Sequence, residues 1–138
     1  MKIIHAPRQE MIRTAVLRRP EAIPSVTVNL WDRLASELIS IIGEGGFQSL
    51  YSRSAHLTSA IFPWMVFNHP SQKGDSRFAD LRLSLEQRNF TDASEASITL
   101  LITFIDILAL LIGELLTSSI LRSAWGDNVL DGAEEELG

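Results

Sequence analysis

The stretch from Thr91 to Gly126 constrains this chain most. No proline interrupts residues 71–138, and the segment is apolar on almost every side of a helical projection. Ile98, Leu100, Leu101, Ile102, Phe104, Ile105, Ile107, Leu108, Leu110, Leu111, Ile112, Leu115 and Leu116 cover nearly the full circumference. A helix apolar all round has to be surrounded by other protein or by lipid. Read as one helix over 92–125, it would span roughly 50 Å. A compact chain of this length has a diameter of roughly 37 Å. The helix is therefore expected to kink near Gly113, to make the molecule elongated, or to pack on a second copy.

The preceding residues supply three amphipathic helices to surround it. Over 25–42, Leu30, Trp31, Leu34, Leu38, Ile41 and Ile42 share one face. Gly43-Glu44-Gly45-Gly46 then reads as a helix stop. The short gap predicts an antiparallel return over 47–62, ending where Phe62 meets Pro63. Residues 68–76 read as a loop, with Asp75 or Ser76 capping a helix over 77–89. Asp92 and Glu95 have capping-box spacing. A short helix over 8–19 leads the chain, followed by an extended Pro20–Pro24 linker that reads as a hinge.

The expectation is an all-α bundle of four main helices (25–42, 47–62, 77–89, 92–125) plus a short N-terminal helix. An N-terminal arm (1–24), a bundle domain (25–126) and an acidic tail (127–138) divide it.

The charge is polarised. Lys2, Arg8, Arg13, Arg18 and Arg19 against Glu10 and Glu21 make residues 1–24 net +3. Asp127, Asp131, Glu134, Glu135 and Glu136 make the last 13 residues −5, within an overall −5. Such ends can meet within one chain or between copies, setting orientation more than affinity. The acidic balance argues against nucleic-acid binding, which gains from a basic face. The chain has no cysteine; that excludes thiol catalysis and disulfides and fits a cytoplasmic protein. No signal-peptide pattern is read at the start, because arginines interrupt it.

A membrane span is disfavoured. Residues 96–113 hold one charge, Asp106, which costs about 2.5–3.5 kcal/mol at the centre of a spanning helix, and no basic flank follows until Arg122.

Few residues suggest chemistry. His5, His56 and His69 lie far apart, no metal-ligand spacing occurs, and Gly43–Gly46 lacks the Lys-Ser/Thr of a phosphate loop. No cofactor or metal is expected. Asp106 lies close to a narrow stripe with Thr99, Thr103, Gly113 and Thr117. It is expected to be buried, and so paired with Arg33 or Arg53, bonded to neighbouring hydroxyls, or protonated. Trp31, Tyr51, Arg53, His56, Trp64, Phe104 and Asp106 are the candidate ligand-binding residues.

The segment Gly43-Glu44-Gly45-Gly46-Phe47-Gln48-Ser49-Leu50-Tyr51, followed by Phe62-Pro63-Trp64, resembles small all-helical bacterial proteins of unknown function. The resemblance implies a helical fold and assigns no activity. The expected function is a non-enzymatic interaction or regulatory module, homodimeric through the leftover face of the long helix, or binding another protein. The alternatives are a sensor for a small apolar ligand held within the bundle and a small enzyme using Asp106 or His56 as acid or base.

Overall fold

A computed structural model describes residues 7–65 and 77–130. Every regular element among them is helical: α1 (Pro7–Leu17), a 3-10 turn (Pro20–Ala22), α2 (Ile23–Ile61), α3 (Ala79–Glu86), α4 (Phe90–Ile112) and α5 (Glu114–Leu130). The all-α expectation holds. The expected caps Asp75 and Ser76, the 68–76 loop, His5, His69 and residues 131–138 lie outside the described residues.

Three glycines divide the longer elements in the same way. Gly43 (φ 86°, ψ 164°), Gly113 (φ 96°, ψ 157°) and Gly126 (φ 83°, ψ 161°) adopt a backbone conformation that L side chains rarely enter. Gly43 splits α2 into two arms, 23–42 and 44–61. Trp31 and Tyr51 bring their ring centroids to 5.0 Å across that break. In a straight helix these residues would stand roughly 30 Å apart, so the arms fold back on one another. The reversal takes one residue, whereas the sequence suggests a four-residue loop; Gly45 and Gly46 remain helical.

Gly113 likewise separates α4 from α5, so the stretch read as one helix over 92–125 is two, and the kink is the alternative adopted among the three that the length argument leaves open. The start of α4 differs from expectation. Asn89 is the cap, its Oδ1 accepting the Asp92 backbone N–H at 2.8 Å. Asp92 thus sits inside the first turn, and Glu95 pairs with Arg13 instead of closing a box.

The Pro20–Pro24 segment is not extended. Ala22 N–H bonds the Arg19 carbonyl at 2.9 Å, and the 3-10 turn passes directly into α2. Pro24 falls in the first turn of α2, where a missing N–H leaves no bond unmade.

Ion pairs fix the relative directions. Arg8 pairs with Asp106 and Arg13 with Glu95, so α1 runs antiparallel to α4. The tight turn at 18–22 sends the first arm of α2 back alongside α4, and the second arm opposes it. Arg8 also bonds Glu114, and Trp125 bonds Leu30, so α5 descends from the Arg8 end.

Leu100, Leu101, Phe104, Ile105 and Leu108 of α4 are fully buried at the centre, each worth up to about 1.5–3 kcal/mol of transfer free energy. Ile12, Ala15 and Val16 of α1 belong to the same apolar cluster. α1 therefore packs as part of the bundle.

Candidate functional site

The candidate residues read from sequence do not form one site. Trp31, Tyr51 and Phe104 do meet. Trp31 stands edge-on to Tyr51 and to Phe104, each at 5.0 Å between centroids. Phe47 and Phe78 complete a five-ring cluster, with Phe47 stacked on Tyr51 at 5.9 Å and Phe78 at 5.7 Å from Trp31. All five are buried, and the rings fill the space between the arms of α2, α3 and α4 with one another. Burial pushes the Tyr51 phenol well above its ordinary value, and Asp80 adds in the same direction.

The other four lie elsewhere. Arg53 and His56 are exposed on the second arm of α2. Trp64 packs edge-on to Phe62 at 6.0 Å, beneath the Arg88 guanidinium at 4.7 Å.

Asp106 is not buried. Its side chain is 49% exposed and accepts from Arg8 Nη2 at 3.1 Å. The expected partners are otherwise placed: Arg33 Nε donates to Asn29 Oδ1 at 2.9 Å, and Arg53 is exposed. The same Arg8 reaches Glu114 through Nη1. One guanidinium thus joins α1 to both sides of the Gly113 break. Sequence alone does not show which helix docks over Asp106.

Next to that bridge lies the largest group of uncovered apolar side chains among the described residues. Leu110 (85% exposed), Leu111 (66%), Leu115 (88%) and Leu116 (45%) flank Gly113. The all-round apolar pattern had marked these leucines without locating the exposed ones. The reason they are bare is local: the break at Gly113 ends α4 and starts α5 at a corner, where no other described helix covers the outer side.

Among the described residues, four fully enclosed polar atoms have no hydrogen-bond partner: Thr27 Oγ1, Thr58 Oγ1, Ser97 Oγ and Trp31 Nε1. Thr58 lies two turns from Tyr51 on one helix, and Ser97 lies two turns from Phe104 on another. Because those helices are antiparallel, both hydroxyls sit on the same side of the ring cluster.

A concavity occupies the elbow of α1, the 3-10 turn and α2. It measures about 350 Å³ and is lined by Ala15, Arg18, Arg19, Ala22, Ser25, Val26, Asn29 and Leu30. Nothing in the apolar periodicity signals it, because it forms only where the two helices meet. Among the described residues no group of three or more His, Asp or Glu side chains is placed to hold a metal ion.

α4 is long and apolar enough to cross a membrane by length and composition, and half of its most apolar stretch is buried inside the bundle. Comparison with protein-family models, curated proteins and solved structures gives no match for this chain.

Proposed function

We propose that this chain is a non-enzymatic interaction module of the cytoplasm that associates through the apolar corner at Gly113, and that its first partner is a second copy of itself. The observation that carries this reading is the exposure of Leu110, Leu111, Leu115 and Leu116 on the two sides of the Gly113 break. Clustered exposed leucines mark interaction surfaces, whereas scattered ones are ordinary. Self-association is favoured by the corner's rim. Arg8 lies there between Asp106 and Glu114, so both signs of charge border the same apolar patch. A two-fold interface needs a self-complementary surface of this kind.

Light scattering on size-exclusion fractions tests it. At micromolar concentration the wild-type chain runs at twice the monomer mass. The variant Leu110→Lys/Leu115→Lys runs as a monomer with unchanged helical circular dichroism, since neither side chain supports the core. A wild-type monomer at that concentration overturns the reading.

A further inference from the structure

We propose that the dimer formed at the Gly113 corner is an exchange of α5: α4 and α5 straighten into one helix, and the α5 of each copy docks on the other copy. This rests on the self-association proposed above and adds how it is made.

The bend is the work of one residue. Gly113 N–H bonds the Ala109 carbonyl at 2.8 Å, and Thr117 N–H bonds the Gly113 carbonyl at 3.1 Å. The helical ladder therefore reaches Gly113 from one side and starts again from it on the other. Turning this residue from φ 96° to helical values would join the N–H groups of 114–116 to the carbonyls of 110–112 in the i to i−4 pattern. Both existing bonds at Gly113 already follow that pattern and would be kept.

What holds α5 is made between helices. Trp125 Nε1 donates to the Leu30 carbonyl at 3.0 Å, Glu114 accepts from Arg8, and Ile120, Leu121, Ala124 and Trp125 are buried. The α5 of a second copy presents the same groups to the same partners. Exchange of an identical element keeps the interior contacts and adds new contact only beside the hinge.

The surface beside this hinge is the bare one. Leu101, Ile105, Leu108, Ile112 and Leu115 fall at spacings of four and three in turn. In the bent chain Leu101, Ile105 and Leu108 are fully buried, whereas Leu115 is 88% exposed. In a straight helix they form one seam, with Leu111 and Leu116 on its flanks. Beyond Gly113 that helix leaves the bundle of its own chain. Two such helices, related by a two-fold axis beside Gly113, cover each other's seams, and the leucines exposed by the bend become the contact between copies. Gly43 makes a similar one-residue bend in α2, but Ile41 is the one bare apolar side chain beside it. A contact between copies has more apolar surface to remove from water at Gly113.

Nuclear magnetic resonance of the full chain tests the exchange. One sample is labelled with heavy nitrogen and a second with heavy carbon. The two are mixed in urea and refolded together, and the dimer fraction is isolated by size exclusion. An isotope-filtered Overhauser experiment asks whether the Trp125 indole N–H of one copy lies against Leu30 of the other. A cross-peak between copies is the expected result.

Gly113→Ala is the second measurement. Alanine is disfavoured at φ +96°, meets nothing within 4 Å of its Cβ, and is preferred to glycine within a helix. It should favour the straight form about thirtyfold per hinge and lower the dimer dissociation constant by that factor for each copy.

A wild-type dimer whose Trp125–Leu30 cross-peak stays within each copy overturns the exchange and leaves association at the corner standing. So does a folded Gly113→Ala chain that dimerises more weakly than wild type. A monomeric wild type overturns the corner reading. An exchanged Gly113→Ala dimer would then still support Gly113 as the hinge, and a monomeric one would overturn the exchange as well. If Gly113→Ala does not fold, the cross-peak in the wild-type dimer decides alone.

Discussion

The indole Nε1 of Trp125 donates to the carbonyl oxygen of Leu30 at 3.0 Å, joining residues 95 positions apart in the interior. The bond ties the end of α5 to the first arm of α2, and the wall of the elbow cavity is thereby held from behind. Trp125→Phe keeps most of the ring and removes the donor. The expected loss is about 1–2 kcal/mol, combining the hydrogen bond with a small packing defect. Urea unfolding measures it, and a midpoint equal to wild type would show the bond contributes nothing.

Two glycines two residues apart should respond with opposite sign. Gly43 has φ +86° with open space around a built Cβ, so Gly43→Ala suffers backbone strain alone, about 1–3 kcal/mol. Gly45 is helical and equally uncrowded, so Gly45→Ala should stabilise by about 1 kcal/mol. Thermal or urea unfolding of the two variants decides it; two changes of the same sign would contradict the one-residue reversal.

Tyr51 is the only tyrosine in the chain, so phenolate absorbance reports on it alone. Its folded pKa lies above the unfolded value of about 10. Below that value neither state ionises, and the phenol leaves stability unchanged. Above it the unfolded chain loses the proton and the folded chain keeps it, so stability falls by up to about 1.4 kcal/mol per pH unit. Phenolate should therefore appear together with the loss of circular dichroism. A reversible phenolate signal near the ordinary pKa, with native helicity intact, would refute the burial argument. Tyr51→Phe should lose this component of the alkaline decline.

Arg8→Gln leaves Asp106 and Glu114 without their shared cation at the α4–α5 corner. Because the carboxylates are substantially exposed, the expected cost is modest, about 0.5–1 kcal/mol at low salt, shrinking as salt is added. A cycle with Asp106→Asn should be non-additive. A cost independent of ionic strength and additive with Asp106→Asn would assign the role of Arg8 to packing.

Three hydroxyls inside the bundle should be dispensable. Thr27→Val, Thr58→Val and Ser97→Ala each remove an unpartnered buried oxygen at little change in shape, and each should be neutral or stabilising by up to about 1–3 kcal/mol. Thr117→Val is the contrast, because Thr117 Oγ1 donates to the Gly113 carbonyl at 2.7 Å; it should destabilise. Chemical denaturation compares the four. Destabilisation by all three of the first set would mean that those hydroxyls are hydrogen-bonded in solution.

Glu44 offers a smaller acid-side signature. Hydrogen bonds from Arg77, then Gln48, hold its carboxyl below the ordinary value. The contribution is present above the unfolded pKa and is lost as pH falls through the lowered one.

Features that depend on neighbours along the chain are legible in the sequence. The all-helical class follows from 3.6-residue apolar periodicity, and the stop at Gly43 follows from glycine's freedom at positive φ; the break at Gly113 is one of three alternatives that the length of a single 92–125 helix leaves open. The inward faces of Trp31, Tyr51, Phe78 and Phe104 were legible for the same reason. Features that depend on residues distant in sequence emerge only in the folded chain. Arg8 reaches Asp106 because α1 docks across α4, a choice no local spacing encodes. Leu110 and Leu115 are bare because the chain turns between them, although Leu100 and Leu108 look equivalent in sequence and are enclosed. The elbow concavity exists only where two helix ends converge. Periodicity records which side of a helix prefers to leave water; it carries no information on which neighbour provides the shelter, or on where none does.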